Sequence, residues 1–143
     1  MSSLADIRTA IGEKIAAADT TAFIMYGADS AETAQVRRHQ TVVNVLFIGE
    51  DADPSLVLGA QYQERIWTWE VQVVTPASAQ NGASNEDRSW TVVNAIEAKV
   101  APNGSDWHPA TDCGPVQLVD KRLFGVTQAG FLATLTVSHV KWL

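Results

Sequence analysis

The sequence predicts an α+β domain: a mostly antiparallel sheet of four to five strands with two helices packed on it, in the order helix, strands, helix, hairpin. Three observations carry this. Leu4, Ile7, Ile11 and Ile15 recur at steps of three and four, and Val92, Val93, Ile96 and Val100 do so again, which lines each set along one helix face. Residues 41–48, 62–74 and 131–140 are rich in β-branched and aromatic side chains, with a period of two in the last two stretches. Glycine, proline and short polar residues gather between these segments, where a chain turns.

The 143 residues are expected to form one domain over 1–143, with no repeat and no linker. A chain of this length buries about 68–70% of the surface its unfolded form exposes, enough for a core without staples. The apolar share of 46% and the charged share of 18% are those of a globular protein, which argues against disorder. Sixteen acidic against ten basic residues leave a net charge of −6, unsuited to gripping a phosphate backbone. Cys113 is the single cysteine, so no internal disulfide forms, in keeping with a reducing compartment. The first residues lack a signal peptide's basic and apolar regions, and no apolar run approaches the ~18–20 residues of a membrane span. The expected setting is aqueous and cytosol-like.

Taken in order, Ser3 with Asp6 three residues on offers a capping-box start to the first helix, which fades near Ala18 before the turn at 19–21. Residues 22–26 make a short apolar strand. The polar stretch 27–40 reads as a long exposed loop, of a length that in compact domains often serves binding or assembly. A β-branched strand follows over 41–48 and is expected to break at Glu50-Asp51-Ala52-Asp53-Pro54. In the strand over 62–74, Trp67, Trp69, Val71 and Val73 face one way and Thr68, Glu70 and Gln72 the other. Small polar residues over 75–84 lead to a second helix capped at Ser84 or Asn85, with Glu86 and Asp87 in its first turn. After a turn-rich loop to Gly114-Pro115, two strands over 116–124 and 131–140 close the domain as a hairpin.

The sharpest catalytic candidate is 106–113, where Cys113, His108, Asp106 and Asp112 lie close in sequence. Catalytic partners normally converge from distant segments, and no elbow motif of paired glycines surrounds Cys113. The stretch reads instead as a surface loop, and no enzymatic activity is expected. His39, His108 and His139 lie too far apart for a zinc site, and His139 falls on the apolar face of the last strand, the place of a hydrogen-bonded core or interface histidine. The acidic run at 50–53 lacks the glycine and distal glutamate of an EF-hand loop. No GxGxxG or GxxxxGK[ST] cradle is present. No metal and no cofactor is expected.

Assembly surfaces are the remaining candidates. Arg37 and Arg38 form a basic pair suited to a neighbouring subunit's carboxylates. Of five tryptophans, Trp67, Trp69 and Trp90 are expected in the core. Trp107, in a loop, and Trp142, beside the C-terminus, are the tryptophans expected at an interface, where exposed aromatics are enriched.

The opening Leu4-Ala5-Asp6-Ile7-Arg8-Thr9-Ala10-Ile11, the strand from Arg65-Ile66-Trp67-Thr68-Trp69 to Val74 with the helix after it, and the closing hairpin from Leu118-Val119-Asp120 to Val137 resemble the tail-terminator (tail-completion) proteins of long-tailed bacteriophages, especially Mu-like contractile phages. The resemblance spans most of the chain and rests on pattern and order. It implies a sheet with two packed helices and a structural, non-enzymatic subunit. That subunit forms a ring, usually of six copies, which caps the finished tail tube and joins it to the head-neck. The implied partners are further copies of the chain, the tube protein, and sheath and head-closure proteins, with DNA passing through unbound. The implied location is the virion tail, assembled in the host cytoplasm. The competing readings are another neck or head-completion ring protein, a small-ligand binding domain with a pocket under Trp67 and Trp69, and a thiol or hydrolase-type enzyme using Cys113 and His108.

Overall fold

A computed structural model describes residues 2–19, 21–27, 40–52, 64–77, 82–103 and 106–142. The elements run α1 (Leu4–Ala16), β1 (Phe23–Tyr26), β2 (Val42–Ala52), β3 (Glu64–Thr75), α2 (Gly82–Val100), β4 (Gln117–Val126) and β5 (Phe131–Trp142). The five strands form one sheet in the order β1-β2-β3-β5-β4, parallel between β1 and β2 and antiparallel elsewhere. Both helices pack on one face of it, as the α+β expectation had it.

The capping box at the start of α1 is closed. Ser3 Oγ accepts the Asp6 N–H at 3.1 Å, and the Asp6 carboxylate accepts the Ser3 N–H at 3.0 Å. Such a cap stabilises a helix by about 0.5–2 kcal/mol. Ile7, Ile11 and Ile15 then enter the core beside Val43 and Val45 of β2, Trp67 to Val73 of β3 and Ala133 to Val137 of β5. Tyr26 of β1 lies across α1 at Gly12, where a Cβ would stand 2.3 Å from the phenol oxygen.

In α2 the buried stripe is Asn85, Ser89, Val93, Ile96 and Val100. The helix starts at Gly82, ahead of the expected cap, so Glu86 and Asp87 fall outside its first turn. Trp90, expected in the core, is 39% exposed. It sits one residue, or about 100°, from the Ser89 position of the stripe, and the Lys121 ammonium covers its ring at 4.6 Å from the centroid.

The second departure lies in β2, which continues through Glu50 and Asp51 to Ala52. A bulge between Phe47 and Gly49 leaves Ile48 outside the register, and Glu50 and Asp51 then pair with Trp67 and Ile66. Trp67 Nε1 donates to Glu50 Oε1 at 2.9 Å, so a cross-strand partner satisfies the carboxylate that locally reads as a break.

The predicted faces of β3 are observed: Trp67, Trp69, Val71 and Val73 are buried, and Thr68, Glu70 and Gln72 are half-buried on the opposite side. Hairpin β4–β5 turns through Thr127 and Gly130, whose backbones exchange hydrogen bonds of 2.7 and 3.2 Å. Gly130 has φ +141°, and a Cβ there would lie 2.5 Å from the Thr75 carbonyl oxygen. The turn places the last strand in the sheet interior between β3 and β4, and leaves β4 at an edge.

Candidate functional site

The 106–113 stretch does not assemble an activated nucleophile. Cys113, read from sequence as a surface thiol, is 1% exposed. Residues 112–114 fold back along the end of β5, with Gly114 N–H on the Val140 carbonyl at 2.9 Å and Trp142 N–H on the Asp112 carbonyl at 3.0 Å. Burial, and then the adjacent Asp112 carboxylate, push the thiol up to about 11. A thiol so protonated at neutral pH is a poor nucleophile. The His108 imidazole does not serve it either, because its Nδ1 lies 2.8 Å from the Cys113 carbonyl oxygen and donates there.

Asp112 is instead half of a structural tie. Its Oδ2 accepts from Lys141 Nζ at 2.8 Å and from the Ser2 N–H at 2.8 Å, joining the residue ahead of the α1 cap to the last strand. Burial acts to raise this carboxyl, but the hydrogen bonds from Lys141 and Ser2 outweigh it and hold Asp112 well below the usual carboxylate range. Lys141 is 1% exposed, on the core face of β5, and its ammonium also donates to the Trp142 carbonyl at 3.1 Å and stands 5.6 Å from the Trp67 ring centre. The period of two that puts Phe131, Ala133, Leu135 and Val137 inward extends to His139 and Lys141. That register was the available signal that Lys141 is buried and requires an anion.

His139 is the core histidine anticipated on that face. Trp69 Nε1 is only a donor, so His139 Nε2 accepts from it at 2.9 Å; Nδ1 therefore carries the proton and donates to the Val140 carbonyl at 3.0 Å. Burial first, with Lys141 adding to it, lowers the pKa and keeps the ring neutral. The Phe47 ring packs against both Trp67 and Trp69, at centroid distances of 5.1 and 5.0 Å. Trp67 and Trp69 are themselves 9% and 0% exposed within this cluster. Among the described residues, no three of His, Cys, Asp and Glu gather into a group able to hold a metal ion.

Of the interface candidates, Arg37 and Arg38 lie outside the described residues. Trp107 is half-buried against the core beside α1, with Lys14 Nζ 5.6 Å from its ring centre. Trp142 is 36% exposed, bonds through Nε1 to Glu64 Oε1 at 3.1 Å, and borders an open depression of about 490 Å³ with His108, Ala110, Thr111 and Cys113. Trp107 borders a different depression, with Pro109 and the α1 residues Ala10, Glu13, Lys14 and Ala17.

Sequence reasoning missed the surface of β4. Bulges between Leu118 and Asp120 and between Leu123 and Gly125 interrupt its pairing with β5, and Val119 and Phe124 are the residues left out of register. Leu118, Val119, Leu123, Phe124 and Val126 are all exposed. The signal was present in the adjacent apolar pairs Leu118-Val119 and Leu123-Phe124, which a regular strand cannot bury on a single face.

Among the described residues, the fold is a five-stranded mixed sheet with two helices on one face and an exposed apolar β4. No family model and no curated protein matches the chain. Among solved structures, the whole chain superposes on the sheath/tube terminator of an extracellular contractile injection system (PVC) in its extended state. The TM-score is 0.65 and the identity 10%, and the chain spans 57% of that protein. The domain has the fold of a contractile-tail terminator. No described helix is long and apolar enough to cross a membrane.

Proposed function

We propose that this chain is a structural tail terminator: a subunit that closes into a homo-oligomeric ring, of six copies on the family resemblance, caps a finished tail tube and connects it to the neck. The observation that carries the reading is the superposition of the full chain on a sheath/tube terminator. The protonated, buried Cys113 and the structural use of Asp112 and Lys141 support a role without an enzymatic step. On this reading the tube protein is the main partner, with sheath and head-closure proteins adjoining. DNA passes through without specific binding, in keeping with a net charge of −6. The setting is the tail of a contractile, Mu-like phage particle, assembled in the host cytoplasm. Arg37, Arg38, Trp107 and Trp142 are the proposed contact residues.

The test mixes purified chain with assembled tail tubes and images tube ends by electron microscopy. Rings seated on one end are expected, and Arg37→Glu with Arg38→Glu should reduce their number. Tube ends that stay bare with the wild-type chain sink the terminator reading. Caps that persist unchanged in the double variant remove the arginines from the contact.

A further inference from the structure

Strand β4 carries an interaction surface that nothing above assigns. Leu118, Val119, Leu123, Phe124 and Val126 are each between 36% and 60% exposed, and among the described residues β5 is the one strand beside them. By chemistry the segment from Leu118 to Phe124 is symmetric about Lys121: two apolar residues, an acid, the lysine, a base, two apolar residues. The bulges fall at Val119 and Phe124 and leave 120–123 regular. There Asp120 and Arg122 pair with Thr136 and Thr134, so both lie on the sheet face away from the helices, whereas Lys121 pairs with the core residue Leu135 on the helix face. Arg122 Nε bonds Asp120 Oδ2 within the strand. The two side chains still keep 68% and 41% exposure, and among the described residues the terminal nitrogens of Arg122 and the second oxygen of Asp120 have no partner.

We infer that β4 pairs antiparallel with β4 of a second copy, about a two-fold axis through Lys121. Charge selects both the partner and the register. A two-fold axis between antiparallel strands stands perpendicular to the sheet, so residues directly opposite each other share a face. Centred on Lys121, the pairing sets Asp120 of each copy against Arg122 of the other, and each apolar pair against the other copy's opposite pair. Centring it one residue away sets Asp120 against Asp120 or Arg122 against Arg122 on that face. Charged side chains on an edge deter arbitrary strands; a second β4 is a strand whose charges match them. On the helix face the two Lys121 ammoniums are drawn back to their own α2, each held by Glu97 Oε1 at 2.6 Å and Asn94 Oδ1 at 2.8 Å. The five apolar residues expose roughly 500 Å² per copy, a large part of the about 800 Å² per partner in a stable interface. A two-fold contact closes at two copies, so it is distinct from a ring contact repeated by rotation and does not rest on the terminator reading.

The test uses the whole chain. Native mass measurement of concentrated wild-type protein is expected to give a species of twice 15.4 kDa. Asp120→Arg sets arginine against arginine across the axis, and Arg122→Asp sets aspartate against aspartate, so each variant alone should give the single-chain mass. Mixed in equal amounts, the two variants restore both opposite-charge pairs and should give a doubled mass containing one chain of each. Both positions are exposed, so unchanged urea midpoints are expected and show that the variants fold. A wild-type chain that stays single, a charge reversal that still doubles alone, or a mixture that stays single overturns the contact. Tube capping is scored apart, and its outcome decides the terminator reading alone.

Discussion

Removing the Asp112 carboxylate should strand a buried ammonium. Among the described residues, Lys141 keeps only the Trp142 carbonyl at 3.1 Å and the Trp67 ring at 5.6 Å once Asp112 is gone, and neither carries charge. Orphaning a buried charge costs about 3–5 kcal/mol. The Asp112 side chain retains 19% exposure, so water reaches the vacated space. The low end, about 3 kcal/mol, is therefore expected for Asp112→Ala. Loss of the Ser2 hydrogen bond adds about 0.5–1.5 kcal/mol. Asp112→Asn keeps an acceptor oxygen and should cost less. Asp112→Asn with Lys141→Met removes both charges together and should recover most of the loss. The assay is urea unfolding followed by tryptophan fluorescence. With a slope of about 1–3 kcal/mol/M, a loss of 3 kcal/mol lowers the midpoint by about 1–3 M. A shift below roughly 0.3 M for Asp112→Ala, or a double variant no more stable than Lys141→Met alone, refutes the reasoning. The pH dependence has a definite sign. The folded carboxyl lies below its unfolded value, so its contribution is present above about pH 4 and is lost as pH falls toward the folded value. Asp112→Asn should flatten that acid limb.

Three further outcomes are expected. His139 is held neutral with its pKa lowered, so the unfolded chain takes up the proton first, and stability should decline as pH falls below about 6.5. His139→Gln should show a smaller difference in urea midpoint between neutral and mildly acid pH than the wild type; an equal difference assigns the effect elsewhere. Gly130→Ala should cost about 1–3 kcal/mol or more, because its φ of +141° is strained for alanine and the new Cβ meets a backbone carbonyl that cannot move aside. A melting temperature matching wild type would disprove this. Cys113→Ser replaces a thiol that is 1% exposed, and whose Sγ stands 3.9 Å from its acceptor Asp112 Oδ1, by a shorter and more strongly hydrated hydroxyl, and should destabilise by about 1–3 kcal/mol; no loss by thermal unfolding would mean that the serine hydroxyl closes on Asp112 Oδ1.

Local pattern was sufficient for α1, β3 and β5, each of which turns one face to the core. The isoleucine stripe of α1, the capping box at Ser3 and Asp6, and the alternation of Trp67, Trp69, Val71 and Val73 are periodic signals that need no knowledge of what they pack against. The same argument located His139 on the apolar side of β5. It stopped one step short of Lys141, where following the alternation would have required a buried anion partner.

What the sequence determined by itself is therefore the element order, the α+β class and the inward faces of α1, β3 and β5, because burial imposes periods of 3.6 and 2 on the chain. The tertiary structure decided the rest. Parallel pairing of β1 with β2 and the order β1-β2-β3-β5-β4 depend on which strands meet, and pairing across the sheet has no local period to reveal it. Glu50 and Asp51 belong to a strand because Trp67 and Ile66 stand opposite, not because of their own propensity. Cys113 is buried because its segment folds along β5 to bring Asp112 to Lys141, a contact between residues far apart in the chain. β4 exposes its apolar residues because β5 takes the interior position and leaves β4, among the described residues, with one strand neighbour, so the same residue types that make a core elsewhere make a surface there.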